Sequence, residues 1–266
     1  MRFTIAIGDI HGMWRIAKGL LADLTARYPE NDSRFIFLGD LVDRGGANAR
    51  AITDLCEFFK ARPESVLILG NHDEYLLKCL QGTLTYVELK QWISNGGYDT
   101  LASYGYHGEY DLKGMQRDIN RAVPDHKPFL ERAVSMFHTE RHCFVHAGVD
   151  PGQPLNQQDD RSLRWIRERF LDYPGPFEKV IVHGHSITKS GWPEVHPHRV
   201  AIDTGSYRTG RISAAVFDND VLADFVCAEQ VASQVVCRYF DAAMVEIAPM
   251  DNTERPTIES LSTSAG

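Results

Sequence analysis

FIFLGDLVDRGG, residues 35–46, is a short apolar run that stops abruptly in two aspartates, an arginine and two glycines. A run of this length rich in β-branched and aromatic residues reads as a buried strand, and the Gly-polar cluster after it reads as a turn. The same grammar occurs on either side. FTIAIGDIHG (3–12) leads into an amphipathic stretch from Trp14 to Arg27, FIFLGDLVDRGG into Ala47 to Lys60, and VLILGNHDEY (66–75) into Leu76 to Leu80. Strands alternating with helices predict parallel βαβ units. In such sheets ligands gather beyond the carboxyl ends of the strands, where all three polar turns lie.

Residues 82 to about 140 change character, with Trp92, the Asn95-Gly96-Gly97 break and several tyrosines in a mixed helical pattern. They predict a helical insertion that shapes one side of the site and contains no strong strand. Strand-like runs resume at HCFVHAG (142–148), KVIVHGHS (179–186) and RVAIDTGS (199–206). RISAAVFDND (211–220) and VLADFVC (221–227) then predict a hairpin turning at Asn219-Asp220. The expected organisation is a single domain over 1–248, carrying the 82–140 insertion, followed by a frayed Ser/Thr/Glu-rich tail over 249–266.

The chain has 266 residues, 43% hydrophobic and 24% charged, with a net charge of −8. No block of Lys and Arg is present, so neither nucleic acid nor an anionic membrane is the expected partner. A local site can still oppose the global sign and take an anionic phosphate. Five scattered cysteines without CxxC spacing argue against a disulfide framework or a thiolate zinc site. The N-terminus does not read as a secretion signal, and no apolar run approaches the ~20 residues of a membrane span. A soluble, cytoplasmic protein is expected.

The strand ends offer Asp9 and His11, then Asp40, Asn71, His146, and His183 or His185. One Gly-Asp turn ordinarily caps a helix, and one histidine ordinarily sits in a core; five such turns closing five apolar runs point elsewhere. Carboxylate, imidazole and amide donors without thiolate suit Mn²⁺, Fe²⁺ or Zn²⁺. Asp9 and His11, two apart on an extended segment, project to the same side, and the two oxygens of Asp40 can bridge a pair of ions.

GDIHG (8–12), GDLVDRG (39–45), GNHD (70–73), HAG (146–148) and GHS (184–186) resemble the five blocks of the calcineurin-like metallophosphoesterases. The Asp-Arg of the second block makes them similar, more narrowly, to the phosphoprotein phosphatase family of bacteria and phages. The resemblance implies a four-layer α-β-β-α sandwich, with two mixed sheets and a dinuclear site at the strand ends. The early βα units would build one sheet and the C-terminal strands the other. Asp9 and His11 would hold the first ion, Asp40 would bridge, and Asn71, His146 and His185 would hold the second, with manganese expected and iron or zinc as alternatives. His72 would be the general acid and Asp43 its carboxylate partner. Arg44, Arg167 and Asn71 would bind the substrate phosphate. Arg164 and Arg169 read as solvated helix faces, His183 as a neighbour without an assigned role, and Gly45 and Gly46 as room for the substrate.

The implied activity is hydrolysis of phosphomonoesters by direct water attack, with phosphoserine or phosphothreonine in proteins as the leading substrate class. The alternative is a symmetrical dinucleoside tetraphosphate hydrolase, and a third possibility is a catalytically silent phosphate-binding scaffold on the same fold.

Overall fold

The computed structural model describes residues 1–108 and 110–245. The expected tail from 249, and the last residues of the expected domain, lie outside the described residues. The chain opens with β1 (Phe3–Ile7), α1 (Trp14–Arg27), β2 (Ser33–Phe37), α2 (Asn48–Ala61), β3 (Val66–Leu67) and α3 (Asn71–Gln81). Here β1 pairs with β2 and β2 with β3, both in parallel, as the repeated strand-helix grammar requires. The third helix starts five residues before the periodic run does. Asp73 causes the early start: its carboxylate accepts the Gly70 N–H at 3.3 Å and the Leu41 N–H at 2.9 Å, fixing the first turn.

The insertion is helical as expected: α4 (Tyr86–Trp92), a π turn over Ile93–Gly97, α5 (Tyr98–Ser103), α6 (Leu112–Ala122) and α7 (His126–Glu131). Its end departs from the expectation, because β4 (Met136–His138) is a strand, antiparallel to β5 (His142–Val145). Then follow α8 (Asp160–Trp165), α9 (Glu168–Leu171), β6 (Val180–His183), β7 (Glu194–His196), β8 (Arg199–Ala201), α10 (Ser206–Thr209), β9 (Arg211–Asp218), β10 (Val221–Val231) and β11 (Gln234–Asp241). The β9–β10 hairpin turns where expected, with Asn219 and Asp220 at φ 47° and 60°, the left-handed pair that a tight hairpin demands.

Two mixed sheets result, ordered β11-β10-β9-β1-β2-β3 and β4-β5-β6-β8-β7. This corrects the expected division of strands. The C-terminal strands β9 to β11 extend the first sheet, and the middle of the chain builds the second. The reason is the edge of β1 left open by its parallel partner, on which β9 lies antiparallel from Phe3↔Asp218 to Ile7↔Ala214.

Strand alternation sorts the side chains into three apolar layers. Ile5, Ile7, Phe35, Phe37, Ala214 and Val216 face α1, α2, α3 and the insertion. Their neighbours Ala6, Ile36, Leu38, Ala215 and Phe217 point the other way, onto Phe144, Val182 and Val200 of the second sheet. Cys143, Val145 and Ile181 then pack outward with Leu163 of α8 and Phe170 of α9. The architecture is therefore helix, sheet, sheet, helix, with the two sheets' strand ends brought side by side. Among the described residues no helix is long and apolar enough to cross a membrane.

Candidate active site

The chain turns sharply after each of these strands. Eight non-glycine residues have positive φ among the described residues, and His11, Asp40, Asp43, Arg44 and His185 are five of them. L-residues pay about 1–2 kcal/mol for that conformation, and clustered strain of this kind marks a functional site. The positive φ of His11 also differs from the extended segment expected for Asp9 and His11; the two side chains meet across a tight turn, 4.0 Å apart.

Asp40 lies at the centre. One carboxylate oxygen is 3.5 Å from His11 Nε2 and 3.9 Å from His72 Nε2; the other is 3.4 Å from His146 Nε2. Asn71 Oδ1 is 3.0 Å from His146 Nε2, and the rings of His146 and His185 stand 5.0 Å apart. The Asp9 carboxylate accepts the His185 N–H at 3.1 Å. All of these side chains are buried.

The donors are prepared for metal. His11 Nδ1 lies 2.9 Å from the Val42 carbonyl and His146 Nδ1 lies 2.7 Å from that of Leu38. Each Nδ1–H donates there, which leaves each Nε2 lone pair facing Asp40. His185 Nε2 is buried and has no hydrogen-bond partner within the protein. Two groups of side chains, His11–Asp40–His72 and Asp40–His146–His185, bring donor atoms within 4.8 Å of one another and are fit for divalent ions. In the first group His72 stands where the sequence placed Asp9, although its other nitrogen is engaged by Asp43.

The charges in this dry cluster oppose one another. Burial, with Asp203 and Asp40 nearby, pushes the Asp9 carboxyl well above the usual carboxylate range. Burial lowers His11 to about 3 and His185 to about 2. Burial also works against an ionised Asp40, but the surrounding histidines outweigh it and hold that carboxylate below its usual range. Buried carboxylates and lone-pair imidazoles gathered this closely are what a bound cation would stabilise.

On the other side, His72 Nδ1 lies 2.5 Å from Asp43 Oδ2. Burial disfavours the imidazolium, yet Asp40 and Asp43 overcome it and raise the His72 pKa. Arg44 reaches across the mouth, with Nη1 2.6 Å from His11 Nε2 and Nη2 3.1 Å from His72 Nε2. Its guanidinium lies 4.4 Å from the Tyr207 ring centre. Arg167, at the start of α9, is 3.5 Å from Ser186 Oγ beside the last histidine block.

Two sequence assignments, those of Arg164 and Gly45, are corrected. Arg164 is not a solvated face: its mostly buried side chain pairs with Glu74 at 3.2 Å and Asp160 at 3.1 Å, because α8 packs against the start of α3. Arg169 is exposed as expected, yet it pairs with Asp150 at 2.7 Å. Gly45 does not make room for substrate, since a Cβ there would come within 2.4 Å of the His11 carbonyl oxygen; the space is taken by packing between two turns. His183 stays on β6, with Nδ1 3.0 Å from the Gly184 carbonyl and its ring against Phe170, away from Asp40.

Several site residues were not identified from sequence. Asp203 is buried beside Asp9 and raised to about 6, chiefly by burial. It ends the run RVAI in the same grammar as the other turns, so a signal existed. Trp92, Thr100 and Tyr207 carry no such signature.

A family model described as calcineurin-like phosphoesterase matches residues 4–209. The chain belongs to that family. A symmetrical bis(5'-nucleosyl)-tetraphosphatase of Dechloromonas aromatica is 30% identical over 195 residues, covering 72% of this chain and 59% of its own length. Its counterpart in Methylococcus capsulatus is 27% identical over 180 residues, covering 67% of this chain and 50% of its own. The chain thus spans between half and three fifths of these relatives. A protein serine/threonine phosphatase from Saccharomyces cerevisiae shares the fold at a TM-score of 0.50 and 15% identity, covering 90% of this chain and 80% of that one.

Proposed function

We propose that the protein is a metal-dependent hydrolase of phosphoric esters and anhydrides, with a dinucleoside tetraphosphate as the favoured substrate. The observation that carries the hydrolase reading is Asp40, whose two oxygens face histidines of different sheets within reach of Arg44 and His72. Asp9, His11 and Asp40 would hold one divalent ion, and Asp40, Asn71, His146 and His185 the other. Bound there, such ions would supply an activated water and neutralise phosphoryl oxygens. Manganese as the ion and a cytoplasmic setting belong to the same proposal.

The protein's own groups do the rest. Arg44 forks onto two phosphoryl oxygens, and Arg167 and Asn71 are further contacts to the group. Water adds to phosphorus as the bond to the leaving oxygen breaks, and His72 Nε2 gives that oxygen its proton. Asp43, on the other nitrogen, keeps the imidazole oriented and favours its charged form.

The substrate class rests on the two tetraphosphatase relatives. Symmetrical cleavage would release two nucleoside diphosphates. The second reading, a phosphoserine or phosphothreonine phosphatase, is favoured by the 2.5 Å His72–Asp43 pair. A serine alkoxide needs a proton to leave, whereas a diphosphate departs as a stable anion.

The deciding experiment compares kcat/KM on diadenosine tetraphosphate and on a phosphoserine peptide, both with Mn²⁺. Faster turnover of the tetraphosphate, with ADP as the sole nucleotide product, is expected. Faster turnover of the peptide would transfer the assignment to the second reading. Inactivity on both, and on p-nitrophenyl phosphate, would defeat the hydrolase reading and leave the silent scaffold.

A further inference from the structure

Asp43 is fully buried, and one of its oxygens serves His72. The other hydrogen bonds to its carboxylate come from the helical insertion. Trp92 Nε1–H points between both carboxylate oxygens at 2.9 Å. The Thr100 hydroxyl donates to Oδ1 at 2.5 Å and accepts the N–H of Asp43 itself at 2.9 Å. The next residue is held from the same place, for Arg44 N–H donates to the Gly96 carbonyl at 3.1 Å. Asp43 and Arg44 sit consecutively in the left-handed region, at φ 76° and 69°. Outside a two-residue hairpin turn such as Asn219-Asp220, two such L-residues in a row persist where surrounding contacts over-determine them.

The π turn makes this grip. Gly96 adopts φ 104°, and a Cβ there would fall 2.6 Å from Arg44 Cγ, so the turn lies directly against the arginine. Trp92 ends α4 with no exposed surface and stacks on Tyr75 of α3 at 6.2 Å, which anchors the indole from the scaffold side.

We infer that Trp92 and Thr100 are positioning residues of the phosphate-hydrolysing site: through Asp43 and Arg44 they fix the direction of His72 and the reach of the guanidinium. The insertion is then a working part of the site and not a wall beside it. This inference rests on the proposed hydrolase function.

Thr100→Val keeps the shape and removes both Thr100 hydrogen bonds; Trp92→Phe removes the indole donor; Thr100→Ser retains the hydroxyl. With p-nitrophenyl phosphate and Mn²⁺, kcat should fall about 10- to 100-fold in Thr100→Val and Trp92→Phe. Metal content should stay as in the wild type, and Thr100→Ser should restore most of the rate. A readout without catalysis accompanies this: amide hydrogen exchange at Asp43 and Arg44 should quicken in Thr100→Val while exchange in β1 and β2 does not change. Wild-type kcat in both variants, or unchanged exchange at 43 and 44, would overturn the positioning role. If the wild type itself hydrolyses no phosphoester, the functional reading fails, and the exchange data still decide whether the clamp exists.

Discussion

His72 commits one nitrogen to Asp43 and turns the other toward Arg44 and Asp40. Its replacement should therefore separate chemistry from metal binding. His72→Asn should keep its ions by elemental analysis, yet lose about 10²–10⁴ in kcat on a phosphoserine peptide. The loss should be smaller on diadenosine tetraphosphate, whose leaving group needs less help. Arg44→Lys keeps the charge but loses the planar fork, so inorganic phosphate should bind about tenfold more weakly by calorimetry, with metal content unchanged. Asp9, His11, Asp40, Asn71 and His146 were legible in the sequence because each sits where an apolar run ends, and a fold that places strand ends together must place them together. The last strand end left His183 and His185 open, and the family resemblance chose His185 and singled out His72. Trp92 and Thr100 were not legible. They lie inside helices, where an indole or a hydroxyl has many ordinary reasons to be.

At the scale of elements, the insertion packs into the core through Leu89, Trp92, Leu101, Met115, Ile119 and Phe129 and adds a few directed contacts. Gly96→Ala would place a methyl against Arg44 and force a side chain onto φ 104°. It should cost about 1–2 kcal/mol in chemical denaturation and weaken phosphate binding as Arg44 shifts. His126, at the start of α7, ties the insertion to α2, with Nε2 2.9 Å from Thr53 Oγ1 and Nδ1 2.8 Å from the Tyr104 hydroxyl. Burial lowers its pKa to about 4, against a smaller opposing pull from Asp125. The unfolded chain therefore takes up this proton first as pH falls. The contribution is complete above about pH 6.5 and is lost between there and about pH 4, amounting to at most about 3 kcal/mol. Urea denaturation at pH 7 and pH 4.5 should show a smaller pH loss in His126→Gln than in the wild type; equal losses would remove His126 from the account. The first two helices were readable from periodicity and β3 from the apolar run VLIL, but β4, of three residues, is too short for a period to appear.

For the whole molecule, the sequence made the α/β class legible through its repeated strand-helix grammar and the two-sheet sandwich through the family resemblance. The structure shows why two layers are needed, since Phe35-Ile36-Phe37 and Ala214-Ala215-Val216 are apolar on both faces and are covered twice. It did not say which strands share a sheet. That choice depends on β9 finding the open edge of β1, a long-range pairing that no local pattern encodes. The consequence reaches the site. Asp40 comes from the first sheet, and its two oxygens face His11 of the same sheet and His146 of the other, so the proposed pair of ions would span the sandwich through one carboxylate. Elemental analysis of the wild type and Asp40→Asn, each saturated with Mn²⁺ and then freed of excess, tests this directly. Two ions per wild-type chain and fewer than one in Asp40→Asn are expected; two ions retained by Asp40→Asn, or none bound by the wild type, would contradict the bridging role of Asp40.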